Sequence, residues 1–198
     1  VGIHPHEAQH YLSKTAQSQF ASLLEDEPSD KKIVAVGECG LDFYYNHSPK
    51  EVQIEMLKFQ LELAKKHDLP VIFHVREAFA DFWPLYDRYR VRGVLHSFTD
   101  SMENLQKALE RGLFIGVNGI ATFAKGADRL EMYKAIPESN LLLETDAPYL
   151  TPTPYRGTVN EPKHIPEIAA YMAQLQGVAM EELAAATTQN AVSLFNLK

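Results

Sequence analysis

Four side chains able to hold a cation stand at or near the ends of short apolar runs. Glu38 closes VAVGE, His74 lies in PVIFHV, His96 in GVLHSF and Asp146 in LLLETDAPYL. Imidazoles and carboxylates in one set suit a divalent metal ion and the hydrolytic chemistry such an ion supports. Each residue also has a plainer reading. A lone histidine at a strand end is commonly a hydrogen-bonded structural residue, Asp146 ahead of Pro148 suits a turn, and Glu38 can be a loop acid. Taken together, four polar groups on apolar strands would cost roughly 2–7 kcal/mol each if left unpaired. A shared cation removes that cost. Cys39 adjoins Glu38, but a reactive thiolate wants a neighbouring histidine or a helix N-terminus. Strand alternation points Cys39 away from Glu38, so it reads as a small packed residue.

The elements that must position these side chains follow a strand-then-helix rhythm. Candidate strands are 33–37, 70–74, 91–96, 113–117 and 141–144, each short, apolar and continuous, as in parallel sheets covered on both faces. Ser48-Pro49-Lys50-Glu51 reads as a capping box, followed by Val52, Met56, Phe59 and Leu63 on one helix face. Asp100-Ser101-Met102-Glu103 reads as a second box, with Gly112 placed as the glycine after that helix. Further helices are expected over 82–89, with Pro84 in the first turn, and over 127–136, 165–175 and 181–195, the last as one helix or two. Repeated βα units allow either a doubly wound sheet or an incomplete (β/α) barrel. No glycine-rich phosphate fingerprint follows a strand, which weakens the first option. In a parallel barrel the C-terminal strand ends share one face, so Glu38, His74, His96 and Asp146 would meet there.

The chain has 198 residues, 45% hydrophobic and 23% charged, and no linker or repeat, which fits a single globular domain over 1–198. Its net charge of −7 excludes a broad basic grip on duplex DNA, while leaving room for a short nucleic-acid segment at a metal site. One cysteine permits no internal disulfide and fits a reducing, cytoplasmic compartment. No apolar run reaches the roughly 18 residues of a membrane span, and no signal peptide is evident. The chain starts at Val1, inside a motif, as if an N-terminal piece preceded it.

GECGLDFY, VIFHVREAF, HSFTDS, GVNGIATF, ETDAPYLTPTPYRG, NEPKHI and TQNAVSLF resemble, in order and spacing, the TatD family of metal-dependent hydrolases. The resemblance implies an α/β fold, a TIM-like (β/α) barrel incomplete at its N-terminus, one or two divalent metal ions and DNase activity. Carried over by motif, Glu38, His74, His96 and Asp146 become metal ligands. Glu38 would bridge two ions, and Asp146 would also take the proton of the attacking water. His4, Arg76, Arg156 and Asn160 become substrate-side residues, although a surface ion pair is the plain alternative for either arginine. The family begins with a His-x-His strand that has no counterpart here. His4-Pro5-His6 matches a later family segment, so His4 reads as a rim residue and His6 as structural. Without its first strand and most of its second, the barrel would leave the edge of the 33–37 strand open.

The expected reaction is metal-assisted hydrolysis of phosphodiester bonds, with DNA ends or single strands as substrate. Hydrolysis of another ester or amide, or an inactive fragment, are the alternatives. Mg²⁺, Zn²⁺ and Mn²⁺ are the candidate ions, and the oligomeric state is left open.

Overall fold

The computed structural model describes residues 1–25 and 33–197. The chain divides into two compact units, Val1–Gly93 with Leu197, and Val94–Asn196.

The first unit opens with Val1–Ile3, which lies beside strand β1 (Val36–Asp42). The Gly37 N–H donates to Val1 O at 2.7 Å and the Val1 amino group to Ala35 O at 3.1 Å, so this part of the strand edge is covered and not open. The two backbones come so close that a Cβ on Gly2 would collide with Gly37. A 3-10 helix (Pro5–Tyr11) and helix α1 (Lys14–Glu25) follow, neither of which the sequence pattern indicates. Strand β2 (Val71–Arg76) pairs in parallel with β1. Both strands run further toward their C-terminal ends than the expected 33–37 and 70–74, so Glu38 sits inside a strand rather than just beyond it, and His74 no longer ends its own.

Helix α2 (Lys50–Lys66) starts one residue later than the box places it, with Pro49 before its first residue and no side-chain cap. Ser48 Oγ donates to His6 O at 2.8 Å instead of capping the helix. The buried face is also rotated from the apolar count. Met56, Leu57 and Leu61 are buried together with two glutamines, Gln53 and Gln60, while Val52 and Phe59 are only half-buried. Helix α3 (Phe79–Tyr89) begins three residues early, which places Pro84 in its second turn. Phe73 packs edge to face against both Phe82 and Tyr86 within this unit, and those two rings meet at a tilt of 35°.

Strand β3 (Gly93–Leu95) begins on the last residue of the first unit. In the second unit it pairs with β4 (Phe114–Val117), which pairs with β5 (Leu141–Leu143), all parallel and in chain order. Helix α4 (Met102–Glu110) is capped by Ser101, whose Oγ accepts the Asn104 N–H at 3.2 Å, one residue later than the box read from sequence. It ends as expected at Gly112. The Leu113 and Gly112 amides return to Ala108 and Leu109, a hydrogen-bond pair that a positive φ of 71° at Gly112 makes possible. Helices α5 (Ala127–Lys134), α6 (Ile165–Gln176) and α7 (Met180–Phe195) complete the unit, α7 as a single helix. Their buried faces, including Met132, Tyr133, Ile168, Met172, Leu183 and Leu194, supply core to the unit, with α6 and α7 against β5 and α5 against α6. No helix among the described residues is long and apolar enough to cross a membrane.

Candidate functional site

In the first unit, the register of β1 against β2 slips between Gly37 and Cys39, so that Glu38 is the extra residue of a bulge. A bulge re-aims one side chain out of the alternating pattern. Cys39 is fully buried, and burial first and the Glu38 charge second push its thiol well up, away from any nucleophilic role. Glu38 Oε1 lies 3.6 Å from His74 Nδ1. Close approach of the two strands depends on Gly40, where a Cβ would collide with the His74 carbonyl.

The other nitrogen of His74 is already engaged. His74 Nε2 lies 3.0 Å from Asp42 Oδ2, and His6 Nε2 lies 2.9 Å from the same oxygen. Asp42 Oδ1 accepts the Tyr44 and Tyr45 amides at 3.0 Å each. Asp42 is 0% exposed. Burial works against its charge, but the Tyr45 amide and the His6 and His74 rings outweigh it and hold the carboxyl below its usual value. An ionised Asp42 only accepts, so His74 and His6 both donate to it from Nε2, which leaves His74 Nδ1 as the nitrogen that faces Glu38.

His4, His6 and His74 bring three imidazole nitrogens within 4.8 Å of one another. His4 is nonetheless a poor ligand. Its Nδ1 accepts the His6 N–H at 3.2 Å, which leaves the proton on Nε2, aimed at Glu38 Oε2 3.5 Å away. Burial, reinforced by His74 and opposed by Glu38, lowers its pKa to about 4, so the ring is neutral at ordinary pH.

The second unit repeats the arrangement with the nitrogens exchanged. His96 Nδ1 lies 3.0 Å from Glu144 Oε1, and His96 Nε2 lies 3.3 Å from Asp146 Oδ1. Glu144 is held by the Ser97 amide at 2.6 Å and lies over Gly116, where a Cβ would stand 2.6 Å from Glu144 Oε2. Asn118 fixes Ser97 by donating from Nδ2 to Ser97 Oγ at 2.7 Å.

These distances test whether the residues suit a metal. Two donor atoms on one Zn²⁺-like ion, each about 2.0–2.2 Å from it, lie roughly 3–3.5 Å from each other. The Glu38–His74 and His96–Asp146 separations are close to that spacing, and each histidine gives its second nitrogen to a carboxylate, as metal-bound histidines do. The residues fit. Asp42 and Glu144 were not singled out in the sequence. Glu144 carried a signal, as the last residue of the expected 141–144 strand and two residues before Asp146, whereas Asp42 lies past the expected 33–37 strand and is marked only by the fold.

The remaining candidates sit on loops or strand ends. The Arg76 guanidinium lies over the Tyr44 and Tyr45 rings at 4.1 and 4.7 Å. Arg156 lies 3.7 Å over the Phe123 ring and donates to Thr151 O. Asn160 is buried and its amide is used locally, donating to Tyr149 O at 2.7 Å and accepting the Glu161 N–H at 2.9 Å.

Comparison with known proteins agrees with this chemistry. The structure superposes on YjjV, a TatD homologue from Escherichia coli K12, with a TM-score of 0.90 at 32% identity, covering 100% of this chain and 76% of that one. In sequence it is 35% identical over 200 residues to the metal-dependent hydrolase YabD of Bacillus subtilis, covering 100% of this chain and 76% of that protein. It is 40% identical over 205 residues to the 3'-5' ssDNA/RNA exonuclease TatD of Erwinia tasmaniensis, covering 100% of this chain and 77% of that protein. Fold and site therefore define a metal-dependent hydrolase of the α/β, TIM-like barrel class. The model of the TatD-related DNases matches residues 1–196, and the chain belongs to that family.

Proposed function

We propose that this chain hydrolyses phosphodiester bonds at the ends of DNA or RNA single strands, using a divalent metal ion. One observation carries the reading: His74 and His96 each have one nitrogen fixed by a structural carboxylate and the other turned to an acid at ligand spacing. Glu38, His74, His96 and Asp146 take the ligand roles, and Mg²⁺, Mn²⁺ or Zn²⁺ is the ion. A second ion would call on the family's His-x-His strand. The only such triplet in this sequence is His4-Pro5-His6.

When bound, the ion supplies positive charge to the phosphoryl oxygen and acidifies water. Asp146 accepts the proton of the attacking water. Asp42 and Glu144 keep His74 and His96 in single tautomers, so no ring has to reorient during turnover. His4, neutral and carrying its proton on Nε2, can donate a hydrogen bond to substrate. Arg76 and Arg156 face the phosphate chain, and Asn160 holds the shape of the loop that carries Arg156. The residues act as one domain, and the lone buried cysteine fits a cytoplasmic setting.

The test is release of nucleotides from single-stranded DNA in Mg²⁺, Mn²⁺, Zn²⁺ or EDTA. Activity with a divalent ion that is lost in EDTA is the expected result. Equal release in EDTA would overturn the metal mechanism.

A further inference from the structure

Beyond Asp42 the first unit presents an unusual amount of aromatic surface. Tyr44 and Tyr45 are 54% and 51% exposed, although rings of this size are normally tucked against a core. They are not loose. Their amides bind Asp42 Oδ1, and the Phe43 amide binds Arg76 O at 3.0 Å. The two rings meet edge to face at 4.9 Å, and the Arg76 guanidinium covers part of both. The His47 ring lies parallel to Tyr45, 12° off, with centroids 5.7 Å apart. Tyr45 also touches His6 edge-on at 5.6 Å.

Asp42 is the common anchor. One oxygen orders the tyrosine loop, and the other orders His6 and His74. The exposed rings are thereby fixed relative to a metal-competent histidine. Aromatic faces backed by a cation are what proteins use to hold unpaired bases, because every base has a π-face and the guanidinium can reach the neighbouring phosphate.

We propose that Tyr44 and Tyr45, with Arg76 against them, form a stacking platform for an unpaired nucleobase beside the bond that is cut. The ligand class is single-stranded nucleic acid. The inference rests on the nuclease reading above and adds the residues that hold the base.

The experiment uses the whole chain and two labelled single-stranded DNA oligonucleotides, one normal and one whose last two residues are abasic. Binding is read by fluorescence anisotropy in EDTA, and cleavage by nucleotide release with Mn²⁺. Tyr44→Ala/Tyr45→Ala should weaken binding of the normal strand about tenfold or more while binding the abasic strand as the wild type does. Tyr44→Phe/Tyr45→Phe, which keeps both rings, should restore wild-type binding. Equal affinity of wild type and alanine variant for the normal strand overturns the platform, as does an equal loss on both strands. If the alanine variant loses binding selectively but the wild type cuts neither strand in any divalent ion, the platform stands and the nuclease reading falls.

Discussion

The surroundings of His74 and of His96 solve one problem with unequal means. Each ring needs one nitrogen stripped of its proton and held still. At His74 the stabilising acid, Asp42, has no exposure and receives two imidazoles and two backbone amides. At His96 the acid, Glu144, keeps a 20% exposed side chain and receives one imidazole and the Ser97 amide. Because the acids approach from opposite ring edges, His74 is left with Nδ1 and His96 with Nε2. The tautomer of a ligand is thus a property of its neighbour. The neighbours differ in how much of the local fold they also hold together.

Substitutions can break this parallel. Asp146→Asn removes the proton acceptor itself, and kcat for nucleotide release should fall about 10²–10⁴-fold with the melting temperature little changed. Asp42→Asn leaves several buried donors competing for one acceptor. It should lower Mn²⁺ affinity about 10–100-fold by calorimetry and also cost roughly 1–3 kcal/mol of stability in urea. Glu144→Gln should give a similar loss of Mn²⁺ affinity with a much smaller loss of stability. Equal stability costs for the two variants would mean the environments do not differ as described.

A pH series sharpens the same contrast. Asp42 has a lower pKa folded than unfolded, so its stabilisation is complete above the ordinary value of 3.8 and is lost as pH falls through the folded value below that. In EDTA, the urea midpoint of the wild type should drop more steeply below pH 4 than that of Asp42→Asn. The smallest effect is expected for Gly116→Ala, whose methyl pushes on the Glu144 carboxylate that holds His96 without removing it. It should reduce Mn²⁺ affinity about 10-fold, at the low end of the range for Glu144→Gln, with a smaller stability cost than Asp42→Asn.

Much of this was legible in the residues themselves. The apolar runs marked all five strands, and the Gly112 stop and the starts of α5 and α6 were readable because glycine and periodicity are local signals. Glu38, His74, His96 and Asp146 stood out as acids and imidazoles on apolar background. What escaped was whatever depends on distant partners. The Glu38 bulge exists only against β2, and Ser48 abandons its cap for His6 O across 42 positions of chain. Pro5–Tyr11 and α1 bury only Pro5 and Ala8, and Phe20 and Leu24, too few positions to mark a helix face in the sequence. Asp42 and Glu144 do not stand out in the sequence, because their importance lies in which ring nitrogen they face.

The two buried glutamines of α2 have a consequence of their own. Gln60 accepts the Ile3 N–H at 2.6 Å and returns a donor to Ile3 O at 3.0 Å; Gln53 does the same for Asp42, at 2.7 and 3.0 Å. Each side-chain amide stands in for the strand neighbour that a peptide group would otherwise need. They lie two helical turns apart on one face, so their spacing sets the distance between the segment leading into His4 and the start of the tyrosine loop. A helix that offers no reacting atom therefore dictates the reach of those that do, and drift in its interior would detune the chemistry without altering a single ligand.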